Sequence, residues 1–201
     1  MNHPEFTQLR RLIDNAITFN DLVLAKKLAL KGLTMSQEME VIGEQMFFRA
    51  QLEIIDEHFE NAIKYLDNAI KYNPTDGAAY NDRALCMIEL GIIDGVLGYF
   101  DKGIDAEPDY ETIYHNKGWF LNNLGHHKEA LSLFKKTLEL APDRAVTYEN
   151  IGNVYESLGK MDEAVIAYKK ALSLIDPAYE DIIKQITIRI KGTVPKNGQG
   201  K

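Results

Sequence analysis

Apolar residues recur along the chain at helical spacing, in pairs of segments joined by short stretches of glycine or polar residues. In IGNVYESLGKMDEAVIAYKKAL, residues 151–172, one apolar helical face precedes Gly159, and a second follows it at Ala164, Tyr168 and Ala171. Gly159 can adopt a left-handed backbone conformation without a side-chain clash, so it is suited to end the first segment. The pattern predicts two short antiparallel helices.

The same pattern is repeated upstream with a period of 34 residues. A fixed period of this length is the signature of stacked helical repeats. One repeat alone buries too few large side chains, at about 1.5–3 kcal/mol each, to offset its ordering entropy, so the repeats are expected to stack. Residues at the same position of successive repeats form a column, and four columns agree in this register. The small column is Ala164, Ala130, Val96 and Ala62, and the large column is Tyr168, Phe134, Phe100 and Leu66. The turn column is Gly159, Gly125, Gly91 and Glu57, and the closing prolines are Pro142, Pro108 and Pro74.

These columns resemble the tetratricopeptide repeat family, whose 34-residue helix-turn-helix units carry a small residue, an alanine, an aromatic residue and a closing proline. Four segments match this arrangement, at residues 43–76, 77–110, 111–144 and 145–178. Glu57 departs from it, since it occupies the column of the turn glycine. The resemblance implies an all-α fold, an α-solenoid in which antiparallel helix pairs form a right-handed superhelix.

The segments on either side extend the array. Residues 6–39 have the pattern of a degenerate fifth repeat, with apolar residues at helical spacing on both sides of a turn at Asn20. Terminal repeats are often atypical because one of their faces meets water. We expect one domain over residues 1–191, followed by a flexible tail at residues 192–201.

Two structures fit the segment after the last repeat. The sequence ITIRIK, residues 186–191, alternates apolar and polar residues like a strand that could extend the sheet of a partner. A helix over residues 179–191 would instead cap the array, and we favour this capping helix. It would place five apolar residues on one face: Tyr179, Ile182, Ile183, Ile186 and Ile190.

The charge and the cysteine content exclude several classes of function. The formal net charge is −7, and residues 43–144 hold 10 basic against 18 acidic residues. Such a balance repels a phosphate backbone, so we expect no nucleic-acid partner. Cys86 is the single cysteine and cannot form an intramolecular disulfide, which favours a reducing compartment. Without a signal-peptide pattern or a run of about 18 apolar residues, we expect a cytoplasmic protein with no membrane span.

No residue pattern indicates catalysis or a cofactor. His126 and His127 are adjacent, whereas a metal-binding pair on a helix needs a spacing of three or four residues. The glycines are scattered rather than grouped into a phosphate-binding loop, and no Ser or Cys has a base placed beside it by the sequence. We therefore expect a protein that is not an enzyme and that has no cofactor and no metal.

The tetratricopeptide repeat family generally uses the first helix of each pair to line a concave groove, which receives a peptide or a partner helix. The resemblance implies such a groove here, with apolar side chains and amides on its wall. Amides can hold an extended backbone by hydrogen bonds, while large apolar residues supply anchors. The candidate binding residues are Phe47, Gln51, Asn81, Leu85, Ile88, His115, Trp119, Asn122 and Asn153.

The sequence favours a protein–protein interaction adaptor or scaffold, whose partner is a peptide or helical segment with an apolar part and a basic end. Phe47, Leu85 and Trp119 are the expected anchors. Trp119 has an alternative interpretation, as a residue that packs against a neighbouring first helix or against the chain's own N-terminal repeat. Two other functions fit the repeats: a structural scaffold that self-assembles into a homo-oligomer, and a secretion-chaperone-like binder of apolar export substrates.

Overall fold

The computed structural model describes residues 4–193, which form an all-α structure without β-strands. The fold class is the predicted α-solenoid of helix pairs. Between residues 4 and 193, no helix has both the length and the hydropathy that crossing a membrane requires. The helices of this part of the chain are α1 Pro4–Thr18, α2 Leu22–Glu38, α3 Ile42–Ile55, α4 Phe59–Tyr72, α5 Gly77–Glu89, α6 Val96–Ala106, α7 Glu111–Asn123, α8 His127–Leu140, α9 Ala145–Ser157, α10 Met161–Leu172 and α11 Glu180–Thr193.

Each predicted repeat contains one helix pair. The pairs are α1–α2, α3–α4, α5–α6, α7–α8 and α9–α10, and α11 follows the last of them. Consecutive helices pack against each other from α1 to α6 and from α8 to α11. Residues 186–191 lie in α11, so the alternative strand does not form. Ile186 is completely buried in the apolar cluster that α11 shares with α10, which explains why the helical face prevails.

The small and large columns of the repeat form the interior of the helix pairs. A β-carbon at Gly152 would lie 2.4 Å from the Tyr168 ring, and one at Gly118 would lie 2.9 Å from the Phe134 ring. These glycines therefore let the first and second helices approach closely. All eight residues of the two columns are completely buried: Ala62, Val96, Ala130, Ala164, Leu66, Phe100, Phe134 and Tyr168.

The turns inside the pairs have a left-handed backbone at the predicted column. The φ angles are 73° at Gly91, 84° at Gly125 and 72° at Gly159. Glu57 adopts the same conformation with a φ of 59°, and so does Asn20 at the turn of the first pair. A side chain costs about 1–2 kcal/mol in this conformation, so the turn at Glu57 is strained.

The described residues divide into two compact units, one ending at Ile113 and one beginning at Tyr114, so the boundary falls within α7. Unit 1 has a core to which α1 through α5 contribute, and unit 2 has a core that joins α9, α10 and α11. The single domain over residues 1–191 stays a prediction. Residues 192 and 193 belong to α11, and the rest of the predicted tail lies outside the described residues.

Replacing Glu57 with glycine is expected to stabilise the chain by about 1 kcal/mol, because glycine adopts a positive φ without a steric clash. Glu57→Gln keeps the clash and removes the charge, so this matched control should change the free energy of unfolding by less than about 0.5 kcal/mol. Urea denaturation at equilibrium measures both changes. A glycine variant no more stable than the glutamine variant would contradict the strain at this turn.

Candidate functional site

Helix α1 contacts the first helices of several later pairs in unit 1. In a regular array each repeat contacts only its neighbours. The side chains of α1 reach past the pair α3–α4, because Arg10 is hydrogen-bonded to Asp76, the last residue of the 43–76 repeat and the N-cap of α5. Thr112 Oγ1, at the start of α7 and three repeats along, donates to Asp14 Oδ2 at 3.4 Å. Helix α1 therefore lies across α3, α5 and the start of α7, on a surface that we call the first-helix face of unit 1.

Arg10 is the main polar contact between α1 and this face. Its guanidinium donates to the two carboxylate oxygens of Asp76, at 2.6 and 2.8 Å, and to both oxygens of Glu44 at 3.0 Å. It also lies 3.6 Å from the centre of the Phe47 ring. The Arg10 side chain is only 14% exposed. Bidentate hydrogen bonds between opposite charges are among the strongest in proteins, so these four residues, the Arg10 clamp, hold α1 in place.

Apolar residues of α1 bury the rest of its inner face. Phe6, Leu9 and Ile13 belong to the core of unit 1. The Phe6 ring packs against Phe48 on α3, with 5.8 Å between ring centres. These three residues have the spacing of one helical face, and Arg10 falls on it as well, four residues after Phe6.

Asp82 on α5 is a partly buried carboxylate of the same face. Asn81 Nδ2 donates to its Oδ1 at 2.9 Å, and Gln51 Nε2 donates to its Oδ2 at 2.6 Å. Burial raises the pKa of Asp82 to about 7 despite these two hydrogen bonds, and the charge of Asp14 raises it further. A substantial fraction of Asp82 is therefore protonated near neutral pH.

The predicted binding residues of unit 1 differ in their exposure. Leu85 and Ile88 are partly exposed on α5, whereas Phe47, Gln51 and Asn81 are buried. Contrary to the sequence prediction, Phe47 is not an exposed anchor, because the arginine of α1 covers its ring. The two amides bind the carboxylate of α5 rather than standing open to an extended backbone.

The sequence analysis missed the three charged members of the clamp, Arg10, Glu44 and Asp76. Glu44 and Asp76 are two among many acidic residues, and no local pattern distinguishes them. Arg10 does have a signal, since it interrupts an otherwise apolar helical face between Leu9 and Ile13. An arginine at such a position needs a buried partner of opposite charge.

In unit 2, His115 is a buried residue that connects two first helices. A hydrogen bond of 2.9 Å joins His115 Nδ1 to Thr147 Oγ1, and Asn150 Nδ2 lies 3.5 Å from His115 Nε2. Burial lowers the pKa of His115 to about 3, and the charge of Arg144 lowers it further. His115 is therefore neutral near neutral pH and holds α7 to α9, rather than facing a ligand.

The other three predicted residues of unit 2 are partly exposed on its first helices. Trp119 and Asn122 lie about one turn apart on α7, and Asn153 lies on α9. Asn122 Oδ1 is hydrogen-bonded to His127 Nδ1 at 2.7 Å, and Asn153 Oδ1 accepts a hydrogen bond from Arg189 of α11. This face therefore offers apolar surface at the tryptophan, while both amide oxygens already have partners within the fold.

Reactive groups are few in the part of the chain that the structure describes. It contains no group of three or more His, Cys, Asp or Glu residues that could hold a metal ion. Cys86 is buried, and burial raises the pKa of its thiol to about 12. The thiolate that a nucleophilic cysteine requires is therefore scarce at neutral pH.

Comparisons with known proteins identify the family. Two models of the tetratricopeptide repeat (TPR) match the chain, one over residues 49–111 and the other over residues 109–176. The chain belongs to the tetratricopeptide repeat family. Together the two matches reach from α3 to α10. None of the curated protein sequences compared with this TPR chain matches it.

Several solved structures share the fold of this TPR chain. TTC0263, a thermophilic TPR protein of Thermus thermophilus, aligns with a TM-score of 0.70 and 18% identity over 94% of this chain and 98% of that one. MamA aligns with a TM-score of 0.58 and 21% identity over 90% of this chain and 94% of that one. YrrB, a TPR protein with an unusual peptide-binding site, aligns with a TM-score of 0.58 and 18% identity, over 86% and 88% of the two chains. At these identities the similarity shows the fold alone.

Replacing Asp82 with asparagine should stabilise the chain at pH 8 by about 1–3 kcal/mol and have little effect at pH 4. The folded state raises the pKa of Asp82 from 3.8 to about 7, so between these values the folded chain binds more protons than the unfolded chain. The stability that this group contributes is therefore present at low pH and is lost as the pH rises to about 7.

Urea denaturation at pH 4, 6 and 8 measures this effect, with Glu89→Gln on the same helix as the control. Glu89 is exposed on α5, so this variant controls for the loss of one negative charge from the same helix. The raised pKa of Asp82 in the folded chain would be contradicted if the stability of Asp82→Asn differed from that of the parent by the same amount at all three pH values.

Proposed function

We propose that the chain is a non-enzymatic protein–protein interaction module that binds a peptide or helical segment of a partner on its first helices. The observation that carries this proposal is the partial exposure of large apolar side chains on the first helices of each unit, Leu85 and Ile88 in unit 1 and Trp119 in unit 2. The small and large columns that hold the helix pairs together are completely buried, so these three side chains stand apart from that packing. Large apolar residues in such positions are typical anchors of an interface. The TPR fold supports the proposal, since stacked repeats build extended binding surfaces.

The partner in this proposal has an apolar segment and a basic end. Apolar residues of the partner would pack on the exposed side chains of the first helices. Glu149 and Glu156 on α9 are partly exposed acidic residues of unit 2, and the net charge of the whole chain is −7. A basic partner segment complements this charge, whereas a nucleic acid does not. The similarity to YrrB, which has a peptide-binding site, supports a peptide-like ligand.

The proposed function includes no covalent step and no cofactor. His115 is buried and neutral near neutral pH, so it is poorly placed to transfer protons. Cys86 is buried and its thiol has a raised pKa, which disfavours nucleophilic attack. A cytoplasmic location stays a prediction from the sequence.

Replacing Trp119 with alanine should weaken partner binding by about 1–3 kcal/mol, the usual effect of removing an interface anchor. Ile166→Ala is the matched control, because Ile166 is 68% exposed but lies on a second helix, α10. The tagged parent and both variants are used to capture proteins from a lysate of the source cells, and the captured proteins are quantified by mass spectrometry. We expect at least one partner that Trp119→Ala loses and Ile166→Ala retains. Identical sets of partners for all three chains would exclude Trp119 as an anchor.

Self-assembly is a second candidate function, and the exposed surface of the first helix pair favours it. A concentration of exposed apolar residues in one helix pair makes that pair a candidate site of protein association. Of the sixteen large hydrophobic residues that are exposed in the described chain, six lie on or between α1 and α2: Leu12, Ile17, Leu22, Val23, Leu24 and Leu30.

Light scattering at several concentrations tests this second candidate. If the first pair mediates assembly, Val23→Glu should shift the chain towards the monomer, because Val23 is 84% exposed and a buried charge at an interface is unfavourable. Ile166→Glu should leave the mass unchanged. A parent chain that stays monomeric at every concentration would exclude self-assembly.

A further inference from the structure

The surface beneath α1 in unit 1 has the composition of an occupied ligand site. We call it the α1 seat; it consists of Glu44, Phe47 and Phe48 on α3, together with Asp76 and Asp82 at α5. It receives an arginine between carboxylates, an aromatic ring, and aliphatic side chains from α1. None of its five residues belongs to the small and large columns that hold the helix pairs together.

We propose that the α1 seat binds an arginine-bearing amphipathic helix of a partner protein, and that α1 is an internal occupant which this partner displaces. The proposal rests on the function as an interaction module and adds a site and a partner chemistry to it. The partner helix presents an aromatic residue, an aliphatic residue, an arginine and a second aliphatic residue. Their relative positions are those of Phe6, Leu9, Arg10 and Ile13 in α1.

The seat is selective for arginine over lysine. The Arg10 guanidinium donates in parallel to the two oxygens of Asp76 while it stacks on the ring of Phe47. A planar fork of donors can make both contacts at once. An ammonium group is a compact charge that cannot match the two carboxylate oxygens in this way, so a lysine in the partner would bind less well.

A cavity of about 700 Å³ beside the Arg10 clamp gives a basic segment access to the seat. Five carboxylates line this cavity, those of Glu44, Asp76, Glu107, Asp109 and Glu111, against two arginines, Arg10 and Arg11, so acidic groups predominate. Burial raises the pKa of Glu107, and the charge of Asp76 raises it further, as is typical where negative charges accumulate. A basic residue that flanks the partner helix can therefore enter beside the clamp before α1 leaves.

The internal occupant is an imperfect ligand, because Asp14 on α1 brings a negative charge to a face that is already acidic. The charge of Asp14 contributes to the raised pKa of Asp82, as is expected when two carboxylates lie near each other. The hydrogen bond that Asp14 accepts from Thr112 is long, at 3.4 Å. A partner helix with a neutral residue at this position would avoid the repulsion and would compete favourably with α1.

The test uses the full chain and a fluorescently labelled peptide with the sequence of residues 4–18, in which Asp14→Asn removes the repulsive charge. Fluorescence anisotropy measures its affinity. Arg10→Met in the chain removes the internal clamp, so a larger fraction of the chain has an open seat, and the affinity should rise at least roughly tenfold above that of the parent. A second peptide that also carries Arg10→Lys should bind the variant chain at least roughly tenfold more weakly than the first.

Arg83→Met is the matched control chain. Arg83 also forms an ion pair in unit 1, at 2.5 Å with Asp67, and also stacks on an aromatic ring, at 3.9 Å from the centre of Tyr99. It makes none of the contacts that hold α1, so this chain should bind the peptide as weakly as the parent.

Circular dichroism verifies that each variant keeps its helicity. If Arg10→Met does not fold, Ile13→Ala loosens α1 without leaving a charge unpaired, and it should give the same order of affinities.

The proposal would be overturned if the Arg10→Met chain, or the Ile13→Ala chain in its place, bound the first peptide no more tightly than the Arg83→Met chain does. It would be overturned as well if that chain bound the first peptide and the Arg10→Lys peptide equally. It would also be overturned if the Arg10→Met chain became dimeric in light scattering and did not bind the peptide, because a second copy would then fill the seat. The Trp119 experiment concerns unit 2, so it tests the proposed interaction function independently of the α1 seat.

Discussion

The place of α1 in unit 1 depends on one charged side chain, Arg10, which lies between the carboxylates of Glu44 and Asp76 and on the ring of Phe47. Removing one member of a buried ion cluster commonly costs about 3–5 kcal/mol, because the remaining charges lose their compensation. The cluster joins segments 34 and 66 residues apart in sequence. It thereby brings α1 across first helices that a regular first repeat would not reach.

Two sets of residues in the repeat have separate tasks. The small and large columns hold each helix pair together, and all of their side chains are buried. The first helices carry a second set of residues whose roles differ between the units. In unit 1 this set binds α1 through charge and apolar contact, while in unit 2 it includes the partly exposed Trp119. Packing within the helix pairs and contact with α1 therefore use different columns of the repeat.

The features that depend on the 34-residue period could be predicted from the sequence. The buried columns, the helix pairs and the turns at Gly91, Gly125 and Gly159 all follow from residues that recur in register. The burial of Phe47, Gln51 and Asn81 could not be predicted in this way. A period tells which face of a helix a residue occupies, but it does not tell which other segment covers that face. Which segment covers it depends on contacts between residues that are 66 or 98 positions apart in the sequence. The one sign of these contacts in the sequence is Arg10, an arginine within the apolar face of α1.

A double-mutant cycle on Arg10 and Asp76 tests this account most directly. Arg10→Met, Asp76→Asn and the double variant are compared with the parent by their free energies of unfolding in urea; asparagine is chosen because it still caps the start of α5. If the arginine holds α1 to the start of α5, the two changes should show a coupling free energy of about 1.5–3 kcal/mol. Additive effects of the two replacements would contradict the seating of α1 on the first-helix face of unit 1.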